Sequence, residues 1–292
     1  MIEIQNLTKT YGTGVHALRG INLNIEAGMF GLVGPNGAGK TTLMRILAGL
    51  LNPTSGKLHA FGNDMLTTPG KLATKALLGY LPQDLGLYPN LTGREFLDYV
   101  AILKGVANGQ LRRAQIDELL ETVRLTDVAN RRLKTYSGGM KRRIGIAQAM
   151  LGNPRLLIVD EPTVGLDPEE RVRFRNLLSE MAKRCTVILS THIIEDISHS
   201  CNDLAIINEG EVLFRGAPAD LVGQARGHVW TVLTQGNTPN HGVTVVSTIQ
   251  FHNGVQYRVL GTPDRAYEAT PAEPTLEDGY IWRMQQAKVI QN

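Results

Sequence analysis

The stretch Gly34-Pro35-Asn36-Gly37-Ala38-Gly39-Lys40-Thr41 fits the pattern G-x-x-x-x-G-K-[ST] at every fixed position. Glycines let the backbone curl so that several N–H groups point at one anion, while the lysine adds a mobile positive charge and the threonine a hydroxyl for Mg²⁺. Residues 29–33 before it are typical of a short buried strand, and residues 42–51 after it of a helix whose N-terminus faces the phosphates. This context predicts a nucleotide-phosphate site rather than a chance glycine-rich turn.

The bulk composition is that of an ordinary globular chain, with 292 residues, 42% hydrophobic and 20% charged, a length that suggests about two domains. The net charge of +3 gives no general electrostatic argument for binding nucleic acid or a membrane. Cys185 and Cys201 do not form a C-x-x-C pair, so we expect no zinc and a reducing, cytosolic compartment. We find neither a signal peptide nor an apolar run of about 18 residues, so we expect any work at a membrane to depend on a partner.

Periodicity along the chain predicts several strands followed by a helical region. Residues 1–62 alternate in the manner of strands, and the apolar run 76–81 indicates another strand. Apolar residues then recur at three- and four-residue spacing in segments 92–104, 111–125 and 138–151. These three segments are predicted helices.

The second half of the chain returns to strands. Residues 156–159 and 186–190 are predicted strands with a helix between them at 168–183, which favours a parallel sheet. A hairpin is expected over 203–214, with its turn at Glu209-Gly210. Beyond about residue 220 the sequence offers short strand candidates within 228–260 and a last helix after a proline-containing link, typical of a small α+β appendix.

Two adjacent carboxylates, Asp160 and Glu161, follow the predicted buried strand at 156–159. Ligands of open α/β sheets bind at such strand ends. Asp160 is placed to hold Mg²⁺, and Glu161 to take a proton from a water aimed at the γ-phosphate. The alternative is a strand capped by acidic residues at a turn.

The segment Tyr136-Ser137-Gly138-Gly139-Met140 stands about 20 residues before Asp160. With the two elements above, it resembles the signature Leu-Ser-Gly-Gly-Gln of the nucleotide-binding subunits of ABC transporters, although Ser-Gly-Gly is also an ordinary helix cap. Met140 cannot make the amide contact of the usual glutamine. The resemblance covers about residues 1–220. It implies an α/β P-loop NTPase cassette, with a mixed-sheet core and a helical subdomain at about 84–150, followed by a small C-terminal accessory domain at 221–292.

The resemblance also implies roles for individual residues, with ATP and Mg²⁺ as the bound cofactors. Gln83 matches the glutamine that senses Mg²⁺, His192 the histidine that contacts the γ-phosphate, and Tyr11 the aromatic residue that stacks on adenine. Taken alone, these three are ordinary loop, structural and packing residues. The implied ATP-binding residues are Tyr11, Gly34, Pro35, Asn36, Gly37, Ala38, Gly39, Lys40, Thr41, Thr42, Ser137, Gly138 and Gly139. The implied metal ligands are Thr41, Gln83 and Asp160, and the implied catalytic residues are Glu161, His192 and Gln83.

In that family the site is split between two subunits, so the resemblance implies a second ATP-binding subunit, most simply a second copy. The loop Gly165-Leu166-Asp167-Pro168 matches the one that crosses the dimer seam, while Asp167 and Pro168 also fit a plain helix start. A membrane permease is the expected partner, docked near residues 84–104 at the cytoplasmic face of the membrane. Residues 273–278 resemble the closing segment of bacterial drug or antibiotic exporters.

Two other functions compete with a transporter subunit. The first is a soluble ABC-type ATPase acting on nucleic acid or ribosomes; we expect no nucleic-acid partner, because a second cassette, a long coiled coil and cysteine zinc sites are absent from the sequence. The second is a GTPase or small-molecule kinase, which lacks support because no Asn-Lys-x-Asp motif occurs. The basic runs 131–132 and 141–143 are expected to be mainly solvent-exposed.

Overall fold

The computed structural model describes residues 1–163, 166–198, 200–239, 242–252, 254–264 and 266–291. Its strands are β1 (Ile2–Thr10), β2 (His16–Ile25), β3 (Met29–Val33), β4 (Ser55–Ala60), β5 (Asn63–Asp64), β6 (Leu78–Leu81), β7 (Leu156–Asp160), β8 (Thr186–Thr191), β9 (Asp203–Asn208), β10 (Glu211–Gly216), β11 (Val229–Thr234), β12 (Val243–Phe251), β13 (Gly254–Gly261) and β14 (Glu268–Pro271). Its α-helices are α1 (Lys40–Leu47), α2 (Thr68–Ala76), α3 (Gly93–Leu103), α4 (Gly109–Thr122), α5 (Gly138–Met150), α6 (Pro168–Ala182), α7 (Ile194–Ser198), α8 (Pro218–Gln224) and α9 (Leu276–Gln291).

The central sheet has the order β10-β9-β3-β8-β7-β6. Its strands pair in parallel except for β10, which pairs antiparallel with β9. Every residue of β3, β7 and β8 is buried, as expected of strands covered on both faces. The predicted α/β fold is confirmed, and the carboxyl ends of β3, β7 and β8 meet at one edge of the sheet.

A second, antiparallel sheet of order β2-β1-β4-β5 lies over one face of the central sheet. Helix α1 lies between the two sheets and buries Leu43, Met44, Ile46 and Leu47 in their shared core. The other face of the central sheet packs against helices α3 to α6. Because α1 is held on both sides, its N-terminus and the loop before it have a fixed position at the sheet edge.

Local sequence signals explain where the helices begin. Thr92 accepts a hydrogen bond from the Glu95 amide at 3.2 Å, and Glu95 accepts one from the Thr92 amide at 2.8 Å, which forms a capping box for α3. Asp167 caps α6 by accepting from the Glu170 amide at 2.8 Å, with Pro168 in the first turn. The helix-start interpretation of this segment is therefore confirmed, whereas Gly165 lies outside the described residues.

The third sheet, of order β12-β13-β11-β14, lies wholly beyond residue 228. Helix α9 returns from it to pack against α7, α8 and β10. Strand β14 and helices α2, α7 and α8 were not anticipated from the sequence. Among the residues that the structure describes, no helix combines the length and the apolarity needed to cross a membrane.

Candidate functional site

The loop at residues 34–39 requires glycine at two positions for steric reasons. A methyl group at Gly34 would lie 2.1 Å from the carbonyl oxygen of Ile207, and one at Gly39 would lie 2.5 Å from that of Ala17. Gly39 also has a φ of 106°, which L-residues with a side chain rarely adopt. The loop is therefore a tight cradle in direct contact with β2 and β9.

Lys40 begins α1 and is 5% exposed. Its ammonium donates to the carbonyl oxygens of Gly34 at 2.6 Å and Pro35 at 3.1 Å, and lies 3.6 Å from Oε1 of Glu161. Burial lowers the pKa of Lys40, and the charge of Glu161 opposes that shift. The lysine is thus held at the loop by groups that a phosphate can replace.

Glu161 stands at the end of β7 with a φ of 49°, an uncommon conformation for a residue with a side chain. Its amide donates to the carbonyl oxygen of Ser190 on the neighbouring strand at 2.9 Å. The Nδ1–H of His192 donates to Oε2 of Glu161 at 2.7 Å. The turn at Glu161 therefore brings its buried carboxylate between Lys40 and His192. These three residues are far apart in the sequence.

Asp160 is fully buried, yet neither of its carboxylate oxygens has a hydrogen-bond partner in the described part of the chain. Burial raises the pKa of Asp160, while the nearby hydroxyls of Ser190 and Thr41 act in the opposite direction. Leaving a buried carboxylate without partners costs folding free energy. Oxygen donors of this kind suit a hard divalent cation, so the residues present fit Mg²⁺.

An open groove of about 680 Å³ runs along this edge of the sheet. Its lining includes residues 36–42 of the loop and α1 together with Gln83, Glu161 and His192, so these four separated segments meet there. The hydroxyl of Tyr11 lies 3.2 Å from Oγ1 of Thr42, beside the groove. Sequence reasoning missed five further lining residues, which are Val15, His16, Ala17, Arg19 and Glu209.

The turn between β9 and β10 is hydrogen-bonded to the loop at residues 34–39 and helps to hold it in place. The amide of Gly210 donates to the carbonyl oxygen of Ala38 at 3.0 Å, and the amide of Arg19 donates to that of Gly210 at 2.9 Å. The hairpin itself was predicted, but its contact with the loop was not. Only the folded chain brings Glu209 to the groove, because the turn is about 170 residues from the loop.

The signature segment lies elsewhere. Ser137 caps α5 by accepting from the Met140 amide at 3.2 Å, while Tyr136 is buried and donates to the carbonyl oxygen of Val128 at 2.9 Å. None of the described residues that line the groove belongs to residues 136–140. One copy of the chain therefore brings Ser137, Gly138 and Gly139 to a different surface from that of Lys40 and Glu161.

Arg142 corrects an expectation from the sequence. The basic run at 141–143 was interpreted as mainly solvent-exposed, but Arg142 is only 8% exposed. Its guanidinium donates to the carbonyl oxygens of Gln83 at 2.7 Å and Pro162 at 2.8 Å, and to that of Glu161. A run of basic residues carries no signal of which member turns inward, so the pattern could not reveal this.

Comparison with known proteins points to one family. Residues 18–164 match the family of ABC transporters. An uncharacterised ABC transporter ATP-binding protein of Bacillus subtilis, YxlF, is 37% identical over 233 residues, which is 80% of this chain and 76% of the relative. The linearmycin resistance ATP-binding protein LnrL of Bacillus subtilis is 36% identical over 262 residues, covering 89% of this chain and 83% of LnrL.

Solved structures agree with the sequence relatives. A dimeric post-hydrolysis state of the ATP-binding cassette MJ0796, bound to ADP and Pi, superposes with a TM-score of 0.69 at 29% identity and covers 74% of this chain and 98% of that one. The protein cbiO1 of Clostridium perfringens, part of the transporter complex cbiONQ, superposes with a TM-score of 0.68 at 28% identity, covering 76% and 90%.

Proposed function

Because this chain belongs to the ABC transporter family, whose cassettes bind and hydrolyse ATP, we propose that it powers a separate export permease. The observation that carries the proposal is the buried Glu161 between Lys40 and His192, next to Asp160, whose carboxylate oxygens make no hydrogen bond to the described residues. A structural carboxylate would be satisfied by protein donors. One that is not satisfied, at the mouth of a phosphate loop, has a ligand as its partner.

ATP phosphates bind at residues 34–42, of which residues 36–42, Lys40 among them, line the groove. A γ-phosphate competes with Glu161 and with the Gly34 carbonyl for that ammonium. Since phosphate carries more charge than a carbonyl oxygen, Lys40 turns to it and leaves Glu161 free to act on water. Tyr11, which lies beside Thr42, stacks on the adenine.

Glu161 then acts as general base for the water that attacks the γ-phosphate, and the Nδ1–H of His192 keeps its carboxylate in place. Mg²⁺, when bound, neutralises charge that develops on the phosphate oxygens. Thr41, Gln83 and Asp160 are the residues that would hold it. The buried Asp160 contributes the negative charge, and the exposed Gln83 contributes an amide from a separate loop.

We propose that the site is completed by a second ATP-binding subunit, most simply a second copy. Ser137, Gly138 and Gly139 begin α5 away from the groove, with helix amides available for an anion. In a twofold pair they would face the γ-phosphate bound by the partner. MJ0796, a cassette of the same fold, is dimeric in its post-hydrolysis state.

The permease would dock on the helical subdomain, which we place at about residues 84–150, at the cytoplasmic face of the membrane. Tyr88 and Tyr99 are 50% and 43% exposed, and their rings meet edge to face at 5.5 Å. Ile102 and Leu103 are also exposed, and they lie on α3 with Tyr99. Such an exposed apolar patch is typical of a protein interface.

Export is favoured over the soluble alternative by the named relatives. LnrL is a linearmycin resistance protein, and its 262-residue match is too long to be confined to residues 1–220. The likeness therefore reaches into the accessory domain at 221–292. A soluble ATPase acting on nucleic acid or ribosomes finds no support among these relatives.

Replacement of Glu161 by Gln tests the proposal. Glu161→Gln should keep ATP binding, lose about 10²- to 10⁴-fold in hydrolysis, and accumulate as ATP-bound dimers. Phosphate release and sizing chromatography with ATP measure these effects, with the exposed Glu211→Gln as the matched control. Hydrolysis at the wild-type rate by Glu161→Gln would remove Glu161 as the base.

Co-purification of a membrane protein from detergent extracts tests the permease, and Tyr99→Glu should abolish that co-purification.

A further inference from the structure

One buried arginine connects the segments that carry the catalytic residues. Arg142 lies on α5, and its Nη1 donates to the carbonyl oxygen of Gln83 at 2.7 Å. On its other side, Nε donates to Pro162 at 2.8 Å and Nη2 donates to Glu161. One guanidinium thus holds the backbone of two loops that come from β6 and β7.

This arrangement depends on the shape of the guanidinium. Arginine carries five N–H donors in a planar, rigid fork, whereas lysine has a single ammonium. Burial lowers the pKa of Arg142, and the charges of Asp160, Asp84 and Glu161 oppose that shift. Among the described residues it forms no ion pair with a carboxylate. Its N–H groups donate instead to backbone carbonyl oxygens, and these hydrogen bonds fix the backbone at Gln83 and Glu161.

Arg142 also belongs to the helix that carries the signature segment. Ser137 caps that helix five residues earlier, about 7.5 Å along its axis. A shift of the N-terminal end of α5 therefore moves the guanidinium and the two loops that it holds.

We propose that Arg142 is a positioning residue that couples the signature end of α5 to the Gln83 loop and to Glu161 within one chain. In a dimer, engagement of Ser137 with the partner's nucleotide would then set the geometry of this chain's own site. The proposal rests on the proposed function, because it assigns Gln83 and Glu161 to that site. It differs from a purely structural role in requiring an effect on metal-dependent binding and on turnover.

Lys104, which follows the last residue of α3, contacts the other end of α5 and provides a matched control. Its half-buried ammonium donates to the carbonyl oxygens of Ala149 at 3.1 Å and Leu151 at 2.9 Å. Like Arg142, it is a cation that donates to carbonyl oxygens at α5, but it contacts neither catalytic loop. Lys104→Met therefore reports what loss of such a cation does to folding alone.

The experiment compares Arg142→Met, Arg142→Lys and Lys104→Met in the full chain. The measurements are urea unfolding, ATP affinity with Mg²⁺ and with EDTA, and kcat per folded molecule. Arg142→Met should lower kcat about 10- to 100-fold, since small misplacements of catalytic groups have effects of that size. It should also lose most of the gain in ATP affinity that Mg²⁺ provides, while affinity in EDTA stays within about threefold of wild type, because the phosphate loop is intact.

The conservative variant keeps the proposal testable if Arg142→Met does not fold. Arg142→Lys retains the charge but cannot bridge both loops, so we expect its kcat and its free energy of unfolding to lie between those of wild type and Arg142→Met. A wild-type kcat and Mg²⁺ dependence in Arg142→Lys, or losses in Arg142→Met no larger per folded molecule than those in Lys104→Met, would overturn the proposal. Full hydrolysis by Glu161→Gln would instead overturn the proposed function together with this inference.

Discussion

Asp160 at the end of β7 and Asp278 in the C-terminal appendix are both fully buried, yet their surroundings are opposite. Asp160 has two carboxylate oxygens without a hydrogen-bond partner among the described residues. Asp278 accepts from Arg258 Nη2 at 2.6 Å and from the amide and hydroxyl of Thr275 at 2.6 and 2.7 Å. We propose that the first carboxylate binds a ligand, whereas the second is satisfied by donors within the protein.

The pKa shifts follow from this difference. Burial raises the pKa of Asp160. Burial alone would also raise the pKa of Asp278, but the hydrogen bonds from Arg258 and Thr275 outweigh it and hold that pKa below its usual range. A buried carboxylate is therefore informative about function only together with its partners: one with both oxygens unsatisfied is a candidate ligand for a bound group, and a satisfied one stabilises the fold.

Asp160→Asn should produce the largest effect. Removal of the charge that we propose holds Mg²⁺ should reduce hydrolysis about a thousandfold, because a bound metal contributes several kcal/mol to transition-state stabilisation. Without nucleotide, the same change should raise the free energy of unfolding by about 1–2 kcal/mol, since an unpaired buried charge is removed. Phosphate release and urea unfolding measure the two effects. A less stable Asp160→Asn protein would contradict the assignment of Asp160 as an unsatisfied ligand.

Asp278→Asn should have the reverse profile. Loss of the ion pair leaves Arg258 without its partner and should lower the free energy of unfolding by about 2–4 kcal/mol. The kcat of the folded fraction should stay at the wild-type value, because the ion pair lies outside the groove. Arg258→Met should cost a similar amount, and the double variant should be less unstable than the sum of the two. Additive losses would show that the two side chains do not act as a pair.

The two aspartates should also give opposite dependences of stability on pH. The lowered pKa of Asp278 means that its contribution is complete above pH 3.8 and is lost as pH falls through the folded-state pKa. The raised pKa of Asp160 means that it favours folding below pH 3.8 and that this contribution is lost as pH rises through the folded-state pKa.

Urea unfolding between about pH 3 and 7 measures this, with slopes of at most about 1.4 kcal/mol per pH unit for one group. The stability advantage of Asp160→Asn over wild type should be full at pH 7 and should shrink on acidification toward pH 3.8 and below. Asp278→Asn should lose less stability than wild type on acidification. Parallel curves for both variants and wild type would show that neither carboxyl is shifted.

Thr275→Ala should have the smallest effect. The Thr275 hydroxyl donates to Asp278 and accepts from its amide at 3.3 Å, so it caps the first turn of α9. Loss of such a cap costs about 1 kcal/mol. Thr275→Ser keeps the hydroxyl and is the control. Thermal unfolding compares the loss of stability in Thr275→Ala with that in Asp278→Asn. Equal losses would mean that Thr275, not Arg258, contributes most of the stabilisation at Asp278.

Much of the fold could be predicted because its signals are local. The buried strands β3, β7 and β8, the helices α3 to α6 and the hairpin at 203–214 all follow from periodicity and turn residues. Helix α2 was missed although Thr67 accepts from the Gly70 amide at 3.1 Å and Pro69 stands in its first turn, because the segment is short and weakly apolar. Strand β14 was missed because its partner strand β11 is remote in the sequence.

The sequence by itself determined the phosphate loop, the acidic strand end and the signature helix, since each depends on the conformation of a few consecutive residues. The tertiary structure alone decided that Arg142 turns inward and that the 209–210 turn supports the loop. It also decided that Asp278 bonds to Arg258, while Asp160 makes no hydrogen bond to the described residues. Whether a buried polar group is satisfied depends on atoms contributed by distant segments, and no local pattern specifies those neighbours.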